Sequence, residues 1–136
     1  MIDHNNRGFR REVAGIDVSK YNVVGLDESQ FYKDLIENVR DWVENKNLHV
    51  RVVGLDGDAN MQKFGNTLDL IPFCDDVQKL NASCFECLKF LRESDFKGNL
   101  LSIVAPFTKR KGGLKDVIDI GGADKYIPVC RFHHTQ

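Results

Sequence analysis

None of the eleven glycines in this chain of 136 residues is followed by lysine. A Gly-Lys-Ser/Thr phosphate loop, which holds nucleotide phosphates with backbone N–H groups and a lysine, is therefore not encoded in these residues. Long apolar runs are missing as well. The first residues, MIDHNNRGFRREV, are polar with no apolar segment of signal-peptide type, and no later run suits a bilayer crossing. The expectation is a soluble, cytoplasmic protein with no membrane partner. Excess charge is also lacking. The net value is -1, so no strong basic field exists to hold nucleic acid, and no such partner is expected. Low-complexity segments are absent, and so are internal repeats apart from one repeated pentapeptide, VVGLD. What remains is 42% hydrophobic and 29% charged, which argues against disorder and fits one domain with a core of ordinary size.

Residues 1–20 carry scattered charge and few apolar residues, and are expected to form a weakly structured lead-in. YNVVGLD (21–27) is a short apolar run suited to a buried strand. FYKDLIENVRDWVEN has helical spacing, with Phe31, Leu35, Val39 and Trp42 or Val43 on one face. LHVRVVGLD is a second strand run. Strand, helix and strand make a βαβ unit, whose two strands run parallel. Both strand runs end in VVGLD, at Asp27 and Asp56. Ligands of open parallel sheets bind beyond the carboxyl ends of the strands, so both aspartates, with Glu28 beside the first, would line one rim. One such Asp is ordinary strand-end chemistry. Two of them, one followed by Glu, put a metal-phosphate site on equal terms with that plainer reading. Further on, VQKL reads as strand-like and TKRKGGLKD as a solvated basic loop.

The four cysteines are Cys74, Cys84, Cys87 and Cys130. Structural disulfides are uncommon in the cytosol, so these are buried thiols or metal ligands. Cys84-x2-Cys87 places two thiols on one tight turn, and Cys130-x2-His133 repeats the spacing after 42 intervening residues. Three sulfurs and an imidazole suit zinc, which is borderline-soft, and four protein ligands would close its shell as a structural site. The competing reading is four unrelated thiols and a surface histidine. His134 is adjacent to His133 and equally able to bind. Cys74 has no partner at such spacing and is expected to be a buried thiol. A redox role for CFEC is disfavoured because it is not expected to begin a helix after a first strand.

In this order, GLDESQFY, LDGDANMQKFGNTLDLIPFCDDVQKLNASCFEC, TKR and IGGADKYIPVCRFH resemble the C-terminal two-thirds of a type II thymidine kinase, from about residue 21 onward. The resemblance implies an α/β fold: a partial P-loop kinase-like parallel sheet over 21–80, then a small zinc-bearing lasso domain over 81–136. It implies transfer of the γ-phosphate of ATP to the 5′-hydroxyl of thymidine with magnesium, and a structural zinc. Glu28 matches the general base that takes the hydroxyl proton, and Asp27 the acidic residue supporting magnesium. Both roles suit phosphoryl transfer, which needs an oriented nucleophile and neutralised charge. Phe31 and Phe64 match aromatics of the thymidine pocket, where a flat pyrimidine meets apolar walls. Thr108 and Tyr126 match lasso positions that close over the base. Cys84, Cys87 and Cys130 match three zinc ligands, and His133 stands where the family usually has a fourth cysteine. The family also tends to form homo-oligomers.

Several positions depart from the family pattern. The glycine loop belongs several dozen residues before the acidic motif, and 26 residues precede Asp27. Asp58 and Ala59 replace a Thr-Phe pair, which puts an anion where phosphate or sugar is expected and removes an aromatic wall. Ser29 replaces a usual glycine. The segment between Cys87 and Thr108 is longer by roughly a dozen residues, an insertion of a kind that surfaces tolerate. Asp119 stands where an apolar residue would meet the base. The expectation is a thymidine kinase chain whose donor site is incomplete, inactive alone, and unstable or oligomeric through an unpaired sheet edge. The alternative is a non-catalytic, thymidine-kinase-like binding or assembly module held by zinc. An unrelated zinc module ranks last, since the shared motif order would be coincidence.

Overall fold

A computed structural model describes residues 12–94, 103–111 and 125–136. The chain divides into two compact units. The first is the described part of Met1–Asp56 together with Lys63–Val77, and the second is Gly57–Gln62 with the described part of Gln78–Gln136. Asp119, residues 95–102 of the long segment between Cys87 and Thr108, and the IGGAD stretch lie outside the described residues.

The first unit contains the expected strand–helix–strand. Strand β1 (Val23–Leu26) pairs in parallel with β2 (His49–Val52), Val24 opposite Val50 and Leu26 opposite Val52. Those four side chains meet the core, while Val23, Gly25 and Arg51 stand exposed on the other face. Alternation of this kind follows from the two-residue period of a strand. Helix α1 (Leu35–Arg40) continues as a wider, π-type turn, Asp41–Asn45, in which the Lys46 N–H donates to Asp41 O (3.1 Å). Leu35, Val39 and Trp42 are buried as the helical spacing predicts. Phe31 falls before the helix, in a 3-10 turn (Ser29–Phe31), and Val43 is only half-buried. Val13, Val18, Leu26, Leu48 and Leu70, the last from a second 3-10 turn (Thr67–Phe73), complete the core.

Four details differ from the sequence reading. Residues 12–20 hold no helix or strand, yet Val13 and Val18 enter the core. The tie is Asp34. Its carboxylate leaves its own helix start uncapped and accepts the Val13 N–H (2.8 Å) and the Ala14 N–H (2.7 Å). The second VVGLD is not all strand. The last ladder bond runs from the Val53 N–H to Leu26 O (2.8 Å), after which the backbone turns to meet the Ser29–Gln30 pair. VQKL is not a strand, and its apolar residues Val77 and Leu80 are exposed. Cys74 is exposed instead of buried, because the turn Thr67–Phe73 buries only Leu70 and releases the chain to the surface.

The second unit holds two antiparallel pairs. Strand β3 (Ala82–Ser83) pairs with β4 (Val104–Ala105), and β5 (Phe107–Arg110) with β6 (Tyr126–Val129). Helix α2 (Phe85–Glu93) follows β3, and helix α3 (Arg131–Thr135) follows β6. Among the described residues its core is Cys84, Ala105, Ile127 and Val129, with Cys87, Ile103, Phe107 and Cys130 packed around them.

Candidate functional site

Two constellations stand out, one in each unit. In the second, each half of the Cys/His pattern is built alike. A strand ends, a cysteine caps the following helix, and the residue three positions on lies in its first turn. Cys84 precedes α2 with Cys87 inside it, and Cys130 precedes α3 with His133 inside it. The Leu88 N–H donates to Cys84 O and the His134 N–H to Cys130 O, both at 3.0 Å, so each cysteine is locked to its helix. CFEC does begin a helix, contrary to expectation. Its partners argue for metal all the same.

His133 Nδ1 lies 3.5 Å from Cys84 Sγ, 3.3 Å from Cys87 Sγ and 3.4 Å from Cys130 Sγ, while the Cys87 and Cys130 sulfurs are 3.9 Å apart. All four ligand atoms lie within 4.8 Å of one another. A tetrahedron with ordinary zinc–sulfur and zinc–nitrogen bonds has edges of about 3.8 Å and about 3.5 Å. The four side chains therefore match a tetrahedral metal site in chemistry and in spacing. His134 is excluded: its Nε2 meets Ala59 O (3.0 Å) and its ring lies edge-on to Phe107. Helix α3 is held on β5 by Lys109 Nζ, which donates to His133 O (2.8 Å), and by the Arg131 guanidinium over the Phe107 ring.

Electrostatics point the same way. Burial pushes the Cys84 thiol up, but hydrogen bonds from the Cys87 and Cys130 backbones and from the Cys87 and His133 side chains outweigh it and hold the thiol down at about 6. Burial, then the neighbouring Cys84 and Cys130 sulfurs, push Cys87 up to about 12. The cluster thus accepts one thiolate and resists the next. A cation at its centre converts that repulsion into attraction. His133→Ala is expected to abolish stoichiometric metal retention after purification without chelator, whereas His134→Ala leaves it near one ion per chain. Elemental analysis of both variants decides between the two imidazoles.

In the first unit, Asp27 and Glu28 follow β1 directly, as expected. Asp27 Oδ1 accepts the Glu28 N–H (2.8 Å). Glu28 has φ 53° and ψ 40°, the left-handed region, which for a residue with a side chain costs on the order of 1 kcal/mol and is common at functional positions. Phe31 and Phe64 meet edge to face, ring centroids 5.5 Å apart, so the two predicted pocket aromatics do come together. Phe64 is placed by its N–H, which donates to Asp56 O (3.1 Å).

Sequence reading did not find the bracket beneath Glu28. Ser29 is fully buried. Its N–H donates to Val53 O (3.1 Å) and its Oγ lies 2.8 Å from Thr67 Oγ1. This is how the serine is accommodated in the interior. Gln30, also buried, links Glu28 Oε2 to the Leu55 N–H. Gly54 and Gly65 close on this pair: a Cβ at Gly54 would collide with Ser29 Oγ, and one at Gly65 with Gln30 O. Glycine in KFGNTL and VVGL settings carries no signal of such crowding, which is set by tertiary packing.

Thr108 and Tyr126 are brought onto one face of the β5–β6 hairpin. Thr108 pairs with Pro128 and Tyr126 with Arg110, while Ile127 and Val129 point into the core. The Asp58 carboxylate closes its own turn, Oδ1 accepting the N–H groups of Asn60 (2.8 Å) and Gln62 (2.9 Å).

A family model for thymidine kinase matches residues 5–134. The chain is 39% identical to the cytosolic thymidine kinase of Gallus gallus over 114 residues, which is 84% of this chain and 44% of that protein. It is 40% identical to a thymidine kinase of Oryza sativa subsp. japonica over 128 residues, 94% of this chain and 42% of that protein. With the human cytosolic thymidine kinase it shares 39% identity over 125 residues, 92% of this chain and 45% of the relative. The chain thus spans less than half the length of these relatives. No described helix is long and apolar enough to cross a membrane.

Proposed function

The chain belongs to the thymidine kinase family, and on that premise we propose that it serves the transfer of the γ-phosphate of ATP to the 5′-hydroxyl of thymidine. The observation that carries this reading is the acidic pair at the end of β1 beside the Phe31–Phe64 pair, within one unit. Glu28 is the general base for the 5′-hydroxyl, and Asp27 supports magnesium. Phe31 and Phe64 wall the pyrimidine. Thr108 and Tyr126 share a face of the β5–β6 pair and are, by the family resemblance, substrate-binding residues of the lasso, in a P-loop kinase-like fold with a zinc-bearing lasso domain over 81–136. These 136 residues supply the acceptor side of the reaction. No glycine among them precedes lysine, so the donor-side phosphate loop is not supplied by them.

Cys84, Cys87, Cys130 and His133 hold zinc, which when bound cross-links α2 to α3 and does no chemistry on substrate. Homo-oligomer formation is supported by β1 and β2, each of which has only one strand neighbour among the described residues.

Calorimetry tests the reading. Saturable thymidine binding to the zinc-loaded chain is expected, together with no saturable binding of Mg-ATP. Phe31→Ala and Phe64→Ala should each weaken thymidine by about 1–2 kcal/mol, the worth of an aromatic wall. If thymidine binding is absent, the acceptor-site reading fails and a zinc-held assembly module takes its place. Micromolar Mg-ATP binding would overturn the statement about the donor side.

A further inference from the structure

Gln30 is 5% exposed and uses both ends of its carboxamide. Its Oε1 accepts the Leu55 N–H (3.0 Å), and its Nε2 donates to Glu28 Oε2 (2.5 Å). The orientation of the amide is fixed by chemistry: a backbone N–H can meet only the oxygen, so the NH2 group must face the carboxylate. The residue cannot swing away. Its own carbonyl is pressed against Gly65, where any Cβ would collide, and a Cβ at Gly54 would come within 2.8 Å of its Oε1. Ser29, one residue before it, is pinned by Val53 O and Thr67 Oγ1.

Glu28 is the opposite case. Its side chain is exposed, on a flexible stem that in water samples several rotamers. The backbone at Glu28 is already committed to the left-handed region. What the carboxylate lacks is a fixed direction, and Gln30 gives it one.

We infer that Gln30 is the positioning residue for Glu28: it holds Oε2 and leaves Oε1 to receive the hydroxyl proton of the nucleoside. This rests on the reading of Glu28 as the base for a 5′-hydroxyl. The carboxamide itself stays out of contact with substrate. Anchored through Leu55 to the segment after β2, it transmits the rigidity of the sheet to an exposed side chain.

The test compares thymidine with 5′-deoxythymidine, which lacks only the hydroxyl, by calorimetry on the zinc-loaded chain. A charge-assisted hydrogen bond from the hydroxyl to a fixed carboxylate should favour thymidine by roughly tenfold or more. In Gln30→Met, which keeps shape and loses both bonds, the preference should fall to less than about threefold while 5′-deoxythymidine affinity is unchanged. Gln30→Glu keeps the acceptor for Leu55 but removes the donor to Glu28, and should lose the preference too. A merely structural role would instead weaken both nucleosides alike. Survival of the tenfold preference in both variants would overturn the inference. A second readout does not depend on nucleoside binding. In nuclear magnetic resonance spectra of the unsubstituted chain, the two Nε2 protons of Gln30 should be widely split, and the splitting should collapse in Glu28→Ala. If neither nucleoside binds, the acceptor-site reading fails by itself. Ordinary carboxamide signals in the unsubstituted chain would sink the Gln30–Glu28 link.

Discussion

Chelation is expected to melt the second unit while leaving the first folded. The buried apolar content of its described residues is small. Among these residues the buried hydrophobic core is Cys84, Ala105, Ile127 and Val129, and the first of these belongs to the group that could hold a metal. Neither α2 nor α3 has a single buried residue, and the β3–β4 pair is two residues long. Small folds of this kind depend on a cross-link. Structural zinc supplies an apparent 10–16 kcal/mol, on the order of a whole domain's stability. The metal-loaded chain should therefore show an additional cooperative transition that disappears with chelator and returns on adding zinc. Near-ultraviolet circular dichroism should lose the signal of Tyr126 but keep that of the buried Trp42. Cys130→Ser should mimic the chelator. A thermal profile indifferent to chelator would show that packing alone holds this unit.

Gly65→Ala should destabilise the first unit by about 3 kcal/mol or more. Two costs combine. Gly65 has φ +60°, which a residue with a side chain adopts only under strain, and the added Cβ meets the Gln30 carbonyl, which is backbone and cannot step aside. Gly54→Ala should cost less, roughly 1–3 kcal/mol, because its nearest obstacle is the hydroxyl of Ser29. Ser29→Ala removes that hydroxyl along with its bond to Thr67, so the double variant should be more stable than the sum of the single losses predicts. Urea denaturation of the four proteins gives the coupling. Strict additivity would mean that Ser29 and Gly54 do not touch in solution.

Much of this was legible from residue order because it depends on local periodicity. Leu35, Val39 and Trp42 fall on one helical face, and the strands within the two apolar runs, Val23–Leu26 and His49–Val52, pair in parallel, because strand and helix periods act within a few residues. The Cys/His set was legible because each x2 spacing puts two ligands on one tight turn, although the helix that follows Cys84 was not expected and only the structure separates His133 from His134. Other features were not legible, because they come from contacts between distant segments. Asp34 reaches back to Val13, Thr67 meets Ser29, and Gly65 presses on Gln30. Cys74 was misread because a thiol looks apolar in sequence, whereas its exposure is decided by where a 3-10 turn lets the chain go. The role of Asp58 in closing its own turn was not legible either, because it depends on where the Asn60 and Gln62 N–H groups fall.

The six residues Gly57–Gln62 belong to the second unit although chain of the first flanks them on both sides. Their two ends are drawn together by the Phe64 N–H on Asp56 O, and their Ala59 carbonyl receives His134. The backbone therefore leaves the first unit and returns before leaving it for good, as a thread passes twice through the same seam. A protease that cuts once, anywhere, cannot part the two units completely. A gene trimmed at residue 78 would likewise yield a second unit missing a piece that its last helix is built to hold.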